Sequence, residues 1–340
     1  MNIGKVPETV LKRSIFKQLQ VKRDEVLIGP GVGEDCGIIQ VAPEEAIVLS
    51  TDPITGTAHG VGTLAVHITL NDLAASGATP IGLLLTLLLP DGYTEDALKE
   101  LMFEINDASK KFNVQIIGGH SEVTGAVNQP IVSVTGVGKI DKDRVMQADK
   151  VKPGMDILMT KWAGIEGTTI IAHEGEHLLK TYYHPDLVTK AKSFNQYLSI
   201  VKESQIAMKF DVYAMHDVTE GGIFGALWEL GEKINLGLTV DQSKIPLQQE
   251  TIEICEYFDL NPYMLIGSGS LLIVTENGHE MVDAMKEAGI LATVIGKVDE
   301  GNHKRIKFEE TYRSIVPPKS DELYKAIERY EKKKIWRDHE

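Results

Sequence analysis

Apolar strands alternate with amphipathic helices through most of the 340 residues, which predicts a mixed α/β chain of two domains. Three observations carry that reading. Short apolar runs such as Ile81–Pro90 (IGLLLTLLLP) and Leu271–Thr275 have the length of buried strands and about half that of a membrane span. Between them lie helical stretches with one apolar face, such as Glu95–Phe112. The alternation then begins afresh after the turn Lys152-Pro153-Gly154. The expected division is a first domain over 1–148, a second over 149–304, and an extension over 305–340 ending in a helix.

The elements follow in order. Residues 5–24 read as an amphipathic helix, followed by the turn-rich loop 28–37 (IGPGVGEDCG). Strands are expected at 38–41 and 46–50, the second ending in Thr51-Asp52-Pro53. The stretch 62–76 reads as a helix that is apolar almost all round, and such a helix belongs in an interior. Thr63, His67 and Asn71 recur at intervals of four and form one polar stripe, with Asp72 beside its lower end. Gly77 and Pro80 end this helix. A strand at 81–89 and the helix from Glu95, capped by Thr94, come next. Strand 114–117 then runs into a Gly118-Gly119-His120-Ser121-Glu122 turn, and strand 131–137 closes the first half.

In the second half, strand 156–160 leads through a glycine turn (163–167) to a helix from Thr168. A long helical region is expected over 185–208. Strand 212–215 precedes His216-Asp217-Val218-Thr219-Glu220-Gly221-Gly222, then helix 223–233, strand 236–240 and helix 249–258. Gly267-Ser268-Gly269-Ser270 opens strand 271–275, followed by helix 279–288 and strand 292–297. Residues 319–335 form a terminal helix, expected to pack on the second domain or across a dimer.

Composition excludes several classes of function. Lys and Arg number 35 against 49 Asp and Glu, a net charge of −14, which argues against nucleic acid or an anionic membrane as partner. Two cysteines, Cys36 and Cys255, make neither a disulfide framework nor a thiolate zinc site. The first residues lack the apolar core of a signal peptide, so the expected location is the cytoplasm. No Walker-type G-x-x-x-x-G-K-[ST] and no G-x-G-x-x-G opening a helix is present.

The chemistry concentrates in acids delivered into Gly- or Thr-rich corners: Asp35, Asp52, Asp72 and Asp217, with Glu122 as a fifth. A carboxylate inside a protein costs several kcal/mol unless it gains a cation or firm donors. Oxygen ligands without a Cys or His cluster suit Mg²⁺. The neighbouring glycine corners can offer backbone N–H groups to phosphate. Together these features point to a metal-bridged nucleoside triphosphate, since the acids alone would repel it. Taken singly, an Asp at a strand end more often caps a turn. Lys161 and Lys139 could neutralise phosphate, but each reads more simply as a solvated lysine.

In order, GVGEDCGII, STDPIT, LAVHITLNDLAASGATP, IIGGHSEVT, MHDVTEGG and GSGSLLIV resemble the aminoimidazole ribonucleotide (AIR) synthetase superfamily, the PurM-like proteins. The motifs span about residues 25–300, and the third and fifth resemble especially the branch of the hydrogenase maturation factor HypE. The resemblance implies a two-domain PurM-like fold that binds ATP and Mg²⁺, with the N-terminal sheets of a homodimer pairing into a barrel. It implies Mg²⁺–phosphate binding by Asp35, Asp52 and Asp72, a further carboxylate from Asp217, and Glu122 nearby. Asn71, Gly33 and the Gly118, Gly119, His120, Ser121 corner would contact the nucleotide. Many relatives carry an acid where His120 stands here.

The implied reaction is phosphorylation of an oxygen on an amide, acid or thiocarboxamide, with a small molecule or a protein thiol as substrate. Catalysis on the chain's own tail is not expected, because the sequence ends KKKIWRDHE. Selenophosphate synthesis is disfavoured, since no cysteine precedes Cys36. A thiamine-monophosphate-kinase-like phosphotransfer, AIR synthetase activity and a non-catalytic nucleotide-binding scaffold stay open.

Overall fold

The computed structural model describes residues 12, 24, 26–29, 31–34, 36–54, 60–317 and 320–337. Most of the helix expected at 5–24 lies outside them, as does Asp35. The described residues form two compact units. One comprises 24, 26–29, 34 and the described residues up to 145; the other comprises 12, 31–33 and those from 146 onward.

In the first unit the elements are β1 (Val26–Ile28), β2 (Gly37–Gln40), β3 (Glu45–Ile54), α1 (Val61–Ala75), β4 (Thr79–Leu89), α2 (Glu95–Lys111), β5 (Gln115–Val123) and β6 (Ile131–Asp141). The sheet runs β1-β2-β3-β6-β4-β5. Its neighbours are antiparallel except β4 and β5, which pair in parallel because α2 supplies the crossover. Helix α2 begins at the Thr94 cap, whose hydroxyl accepts from Ala97 N at 3.2 Å. Lys110 and Lys111 in its last turn complement the helix dipole.

Helix α1 packs on β3, β6 and α2, and its apolar residues leave almost no solvent-facing side. Close approach to β6 is possible because that strand is glycine where the helix presses. A Cβ on Gly136 would stand 2.6 Å from Thr69 Cγ2 and 3.0 Å from Leu73 Cδ1.

Two strands run further than the sequence suggested. β3 continues through Asp52 and Pro53, and β5 through the whole Gly118–Glu122 stretch, because both stay in ladder register with their neighbours. The Gly118-Gly119 pair therefore serves close approach rather than a turn. At Gly119, with φ of 148°, a Cβ would sit 2.0 Å from the Leu85 carbonyl oxygen.

The second unit contains β7 (Asp156–Thr160), α3 (Ile165–Glu174), α4 (Glu176–Tyr182), α5 (Pro185–Lys192), α6 (Val201–Ala207), β8 (Val212–Asp217), α7 (Gly222–Ile234), β9 (Gly237–Asp241) and α8 (Gln249–Phe258). These are followed by β10 (Leu271–Thr275), α9 (Gly278–Glu287), β11 (Ala292–Asp299), β12 (Lys304–Phe308), β13 (Thr311–Ser314) and α10 (Glu322–Arg337). The sheet order is β13-β12-β9-β11-β7-β10-β8, antiparallel except between β9 and β12. Strands β7 and β10 are buried at every position, as expected of strands covered on both faces.

The long helix expected over 185–208 is broken. A 3₁₀ turn occupies Ser193–Tyr197, and the Ser199 hydroxyl accepts from Val201 N at 3.2 Å, restarting the chain as α6. Helix α4 and the β12–β13 hairpin had no periodic signal strong enough to read.

The terminal helix α10 docks within the second unit. Leu323 and Ala326 are buried in a cluster with Ile254, Phe258 and Leu265. Glu322 accepts from Asn261 N at 3.1 Å, and the Arg329 guanidinium bonds the Asp259 carbonyl at 2.7 Å and its carboxylate at 2.9 Å. Among the described residues no helix is long and apolar enough to cross a membrane.

Leu73 is fully buried and fills the space over Gly136 and Gly138. Leu73→Ala is expected to cost about 2–5 kcal/mol, read from the urea midpoint of the full chain. A loss below ~1 kcal/mol would show that this helix–sheet contact is not a close-packed one.

Candidate functional site

The first unit places two of the predicted carboxylates on one layer. Alternation along β3 turns Ala46, Val48, Ser50 and Asp52 toward α1, with the first three buried and Asp52 half-buried. Asp72, in the last turn of α1, reaches this face and accepts a short hydrogen bond from the Ser50 hydroxyl. Ser50 and Asp52 are two positions apart, so Asp52 stands about 7 Å further along the same row. Asn71 is fully buried beside Asp72, and His67, one turn earlier, meets the Phe112 ring edge-on at 5.3 Å. Two carboxylates and a hydroxyl on one layer are hard oxygen donors, the kind Mg²⁺ selects.

Other predicted residues lie elsewhere. His120 and Glu122 pair with each other at 3.0 Å, largely exposed. They share sheet rows with Thr86 and Leu88, whereas Gly119 and Ser121 share the rows of buried Leu85 and Leu87. His120 and Glu122 therefore face away from α1, on the opposite side of the sheet from Asp52 and Asp72. Gly118 is likewise exposed on this edge strand. Among the described residues no group of three or more His, Cys, Asp or Glu side chains is placed to hold a metal ion. The structure thus places Asp52 and Asp72 on one face of the sheet, with Asn71 buried next to Asp72 in the chain, and puts Glu122 on the other face.

The second unit builds a separate polar corner at the end of β8. His216 and Asp217 are at most 1% exposed. His216 Nε2 lies 3.2 Å from Glu229 Oε2, and its Nδ1 lies 3.7 Å from Asp217 Oδ1. Among the described residues neither Asp217 oxygen has a hydrogen-bond partner. Gly33, predicted to touch nucleotide, is left-handed (φ 74°) and lies against α7, where a Cβ would meet the Glu229 carbonyl oxygen at 2.7 Å.

Three further residues of this corner escaped the sequence reading. Glu166, in the first turn of α3, is 3% exposed, and burial pushes its carboxyl up to about 7. Asp321 and Asp217 push in the same direction, while Ser268 pulls down without closing a well-formed hydrogen bond to Glu166 Oε2. Ser268 is 1% exposed. Asp321, just ahead of α10, is raised to about 6 by burial although three backbone N–H groups favour its charge. The signal for Asp321 was present as Ser320-Asp321-Glu322-Leu323, a helix-start pattern; Glu166 had only a glycine on either side of its turn to mark it.

Lys161 is not the solvated lysine the sequence suggested. It is 6% exposed, with Nζ 2.6 Å from the Ser199 carbonyl oxygen and 2.5 Å from Glu203 Oε1, and burial lowers its pKa. Both cysteines are buried, and desolvation pushes the Cys255 thiol up to about 12, so it is inert as a nucleophile.

Comparison with known proteins agrees with this architecture. The family model for the N-terminal domain of AIR synthase related proteins matches residues 33–140, and that for the C-terminal domain matches 152–309. A protein of Methanocaldococcus jannaschii assigned to hydrogenase expression and formation is 30% identical over 316 residues, covering 90% of this chain and 91% of that protein. Carbamoyl dehydratase HypE of Rhodobacter capsulatus is 28% identical over 254 residues, 72% of each chain. The crystal structure of hydrogenase maturation protein HypE in complex with ATP superposes with a TM-score of 0.65 at 21% identity, covering 93% of this chain and 95% of that one. The shared fold is the PurM-like one.

Glu166 generates a pH prediction. Its folded-state pKa of about 7 lies above its ordinary value of 4.5, so the folded chain holds a proton that the unfolded chain has released between those pH values. Its contribution to stability is therefore fully present below about pH 4.5 and is lost as pH rises through 7. Glu166→Gln should remove this slope, gaining on the wild type by on the order of 2–3 kcal/mol between pH 5 and 8. Parallel stability curves for the two proteins would contradict the assignment.

Proposed function

The chain belongs to the AIR synthase-related protein family, and from that premise we propose an ATP- and Mg²⁺-dependent enzyme that phosphorylates the oxygen of an amide-like group. The observation that carries the proposal is Asp72, a carboxylate buried in α1 and held by Ser50 on the same face as Asp52. Such an acid is costly to keep unless its charge is used. Bound there, Mg²⁺ would neutralise the phosphates, with Asp52 and Asp72 as its protein ligands and Asn71 fixing their surroundings. Asp35 joins this set by its motif; Gly119 and Ser121, whose rows are on the α1 side of the sheet, are the proposed nucleotide contacts of this unit, and Gly33 is proposed by its motif alone.

In the reaction proposed, the amide oxygen attacks the γ-phosphorus, the bond to the β-phosphate oxygen breaks, and ADP leaves. Loss of phosphate and of both N–H protons from the activated amide then gives a nitrile, so that amide plus ATP yields nitrile, ADP and phosphate. The name carbamoyl dehydratase, carried by the R. capsulatus relative, supports a dehydration of this kind. In the second unit, Asp217 is the further carboxylate proposed by its motif. Division into domains over 1–148 and 149–304, with 305–340 as an extension, and homodimerisation through the N-terminal sheet, belong to the same proposal. Neither buried cysteine is placed to carry the substrate, so a small molecule or the thiol of a partner protein would present it.

The test is ADP release by the purified chain with Mg²⁺, across a panel of carboxamides, carboxylic acids and carbamoylated thiols. Turnover that depends on both Mg²⁺ and one substrate class is expected. Asp72→Asn should weaken Mg²⁺-dependent ATP binding by on the order of 2–5 kcal/mol while leaving the fold intact, because Asn keeps the shape. Tight ATP binding without turnover on any substrate would instead favour a nucleotide-binding scaffold.

A further inference from the structure

The terminal segment reaches back into the polar corner of the second unit. Asp321 is 1% exposed, and its two carboxylate oxygens accept from three backbone N–H groups on three different stretches of chain. Oδ2 accepts from Gly221 at 2.7 Å, in the loop that follows Asp217. Oδ1 accepts from Ile266 at 3.1 Å, in the loop that carries Ser268, and from Leu323 at 2.8 Å, at the start of α10. Hydrogen bonds to an ionised acceptor are among the stronger ones, and here they lie out of water.

The two loops that Asp321 joins are backbone-built. Gly221 is left-handed (φ 90°), as is Gly269 (φ 112°), and a Cβ on Gly267 would stand 2.9 Å from Val218 Cγ1. Val218 N bonds the Ser270 carbonyl at 3.0 Å, and Gly167 N bonds the Ile266 carbonyl at 2.9 Å, so the loops also touch each other and α3. Glycine-rich loops hold a fixed geometry only when outside contacts remove their freedom. Asp321 is such a contact, drawn from a residue 100 positions beyond Gly221 and 55 beyond Ile266.

We propose that Asp321 is a positioning residue for Asp217, the carboxylate proposed for this unit, so that the terminal segment serves that corner rather than being an appendage. By tying the 217–222 loop to the 266–270 loop, it fixes the placement of Asp217 and Ser268 beside buried Glu166; among the described residues both Asp217 oxygens have no hydrogen-bond partner. This inference rests on the reading of the Asp217 corner given under Proposed function. Its consequence is that the chain end controls the catalytic step, not merely the stability of the second unit.

The experiment compares wild type, Asp321→Asn and Asp321→Ala in the full chain by amide hydrogen exchange and by steady-state ADP release. Asn keeps the shape and one acceptor, and so guards against a misfolded Ala variant. The expected result is faster exchange confined to 217–222 and 266–270, with α7 and β10 unchanged. In turnover, kcat should fall about tenfold or more with KM for ATP within about twofold, and Asn should recover part of the loss. Unchanged exchange at these loops, or unchanged kcat in a folded variant whose loops exchange faster, would overturn the proposal. If the wild type itself releases no ADP, the functional reading fails and the catalytic role assigned to Asp321 falls with it; the exchange data then report only whether the clamp exists.

Discussion

A carboxylate inside an apolar helix sets the terms for the first unit. Asp72 can be kept there only if something nearby answers its charge, and the Ser50 hydroxyl of β3 donates to it. That bond requires α1 to lie close on the sheet, which requires glycine at 136 in β6. It also requires β3 to present Ser50 and Asp52 inward, which its period of two does. Helix, strand register and glycine placement therefore serve one pair of side chains. A residue with a Cβ at 136 would lift the helix and separate the pair.

The second unit spends its burial differently. Glu166, Asp217, Glu229 and Asp321 all lie inside, together with His216, which stands between Asp217 and Glu229. Charge there is managed by backbone N–H groups, by the imidazole and by protonation of Glu166 near neutral pH. The buried lysines of the unit are committed elsewhere, Lys161 to Glu203 and the Ser199 carbonyl and Lys304 to Glu232. An arrangement of this kind is costly for stability.

Much of the fold was legible because its signals were local. The interior helix was readable from a run of apolar residues on all sides, the Thr94 cap from its position before Glu95, and β7, α8 and β10 from length and flanking turns. What escaped were features decided by partners distant in sequence. Gly118-Gly119 reads as a turn until β4 is placed beside it, and the 185–208 stretch reads as one helix until Ser199 interrupts it. The same holds for the site. Asp52 and Asp72 were found from motifs and do share a face, but nothing local told that Glu122 would point to the other side of the sheet. Asp321 and Glu166 were missed because their significance lies in burial and in loops far along the chain.

The account stands on metal-linked nucleotide binding at the Asp72 face, and a crystal of the full chain soaked with Mg²⁺ and a non-hydrolysable ATP analogue tests this most directly. The predicted result is a metal ion about 2.0–2.1 Å from carboxylate oxygens of Asp52 and Asp72, bridging to phosphate. Nucleotide and metal bound away from both aspartates, with the Ser50–Asp72 hydrogen bond undisturbed, would contradict it.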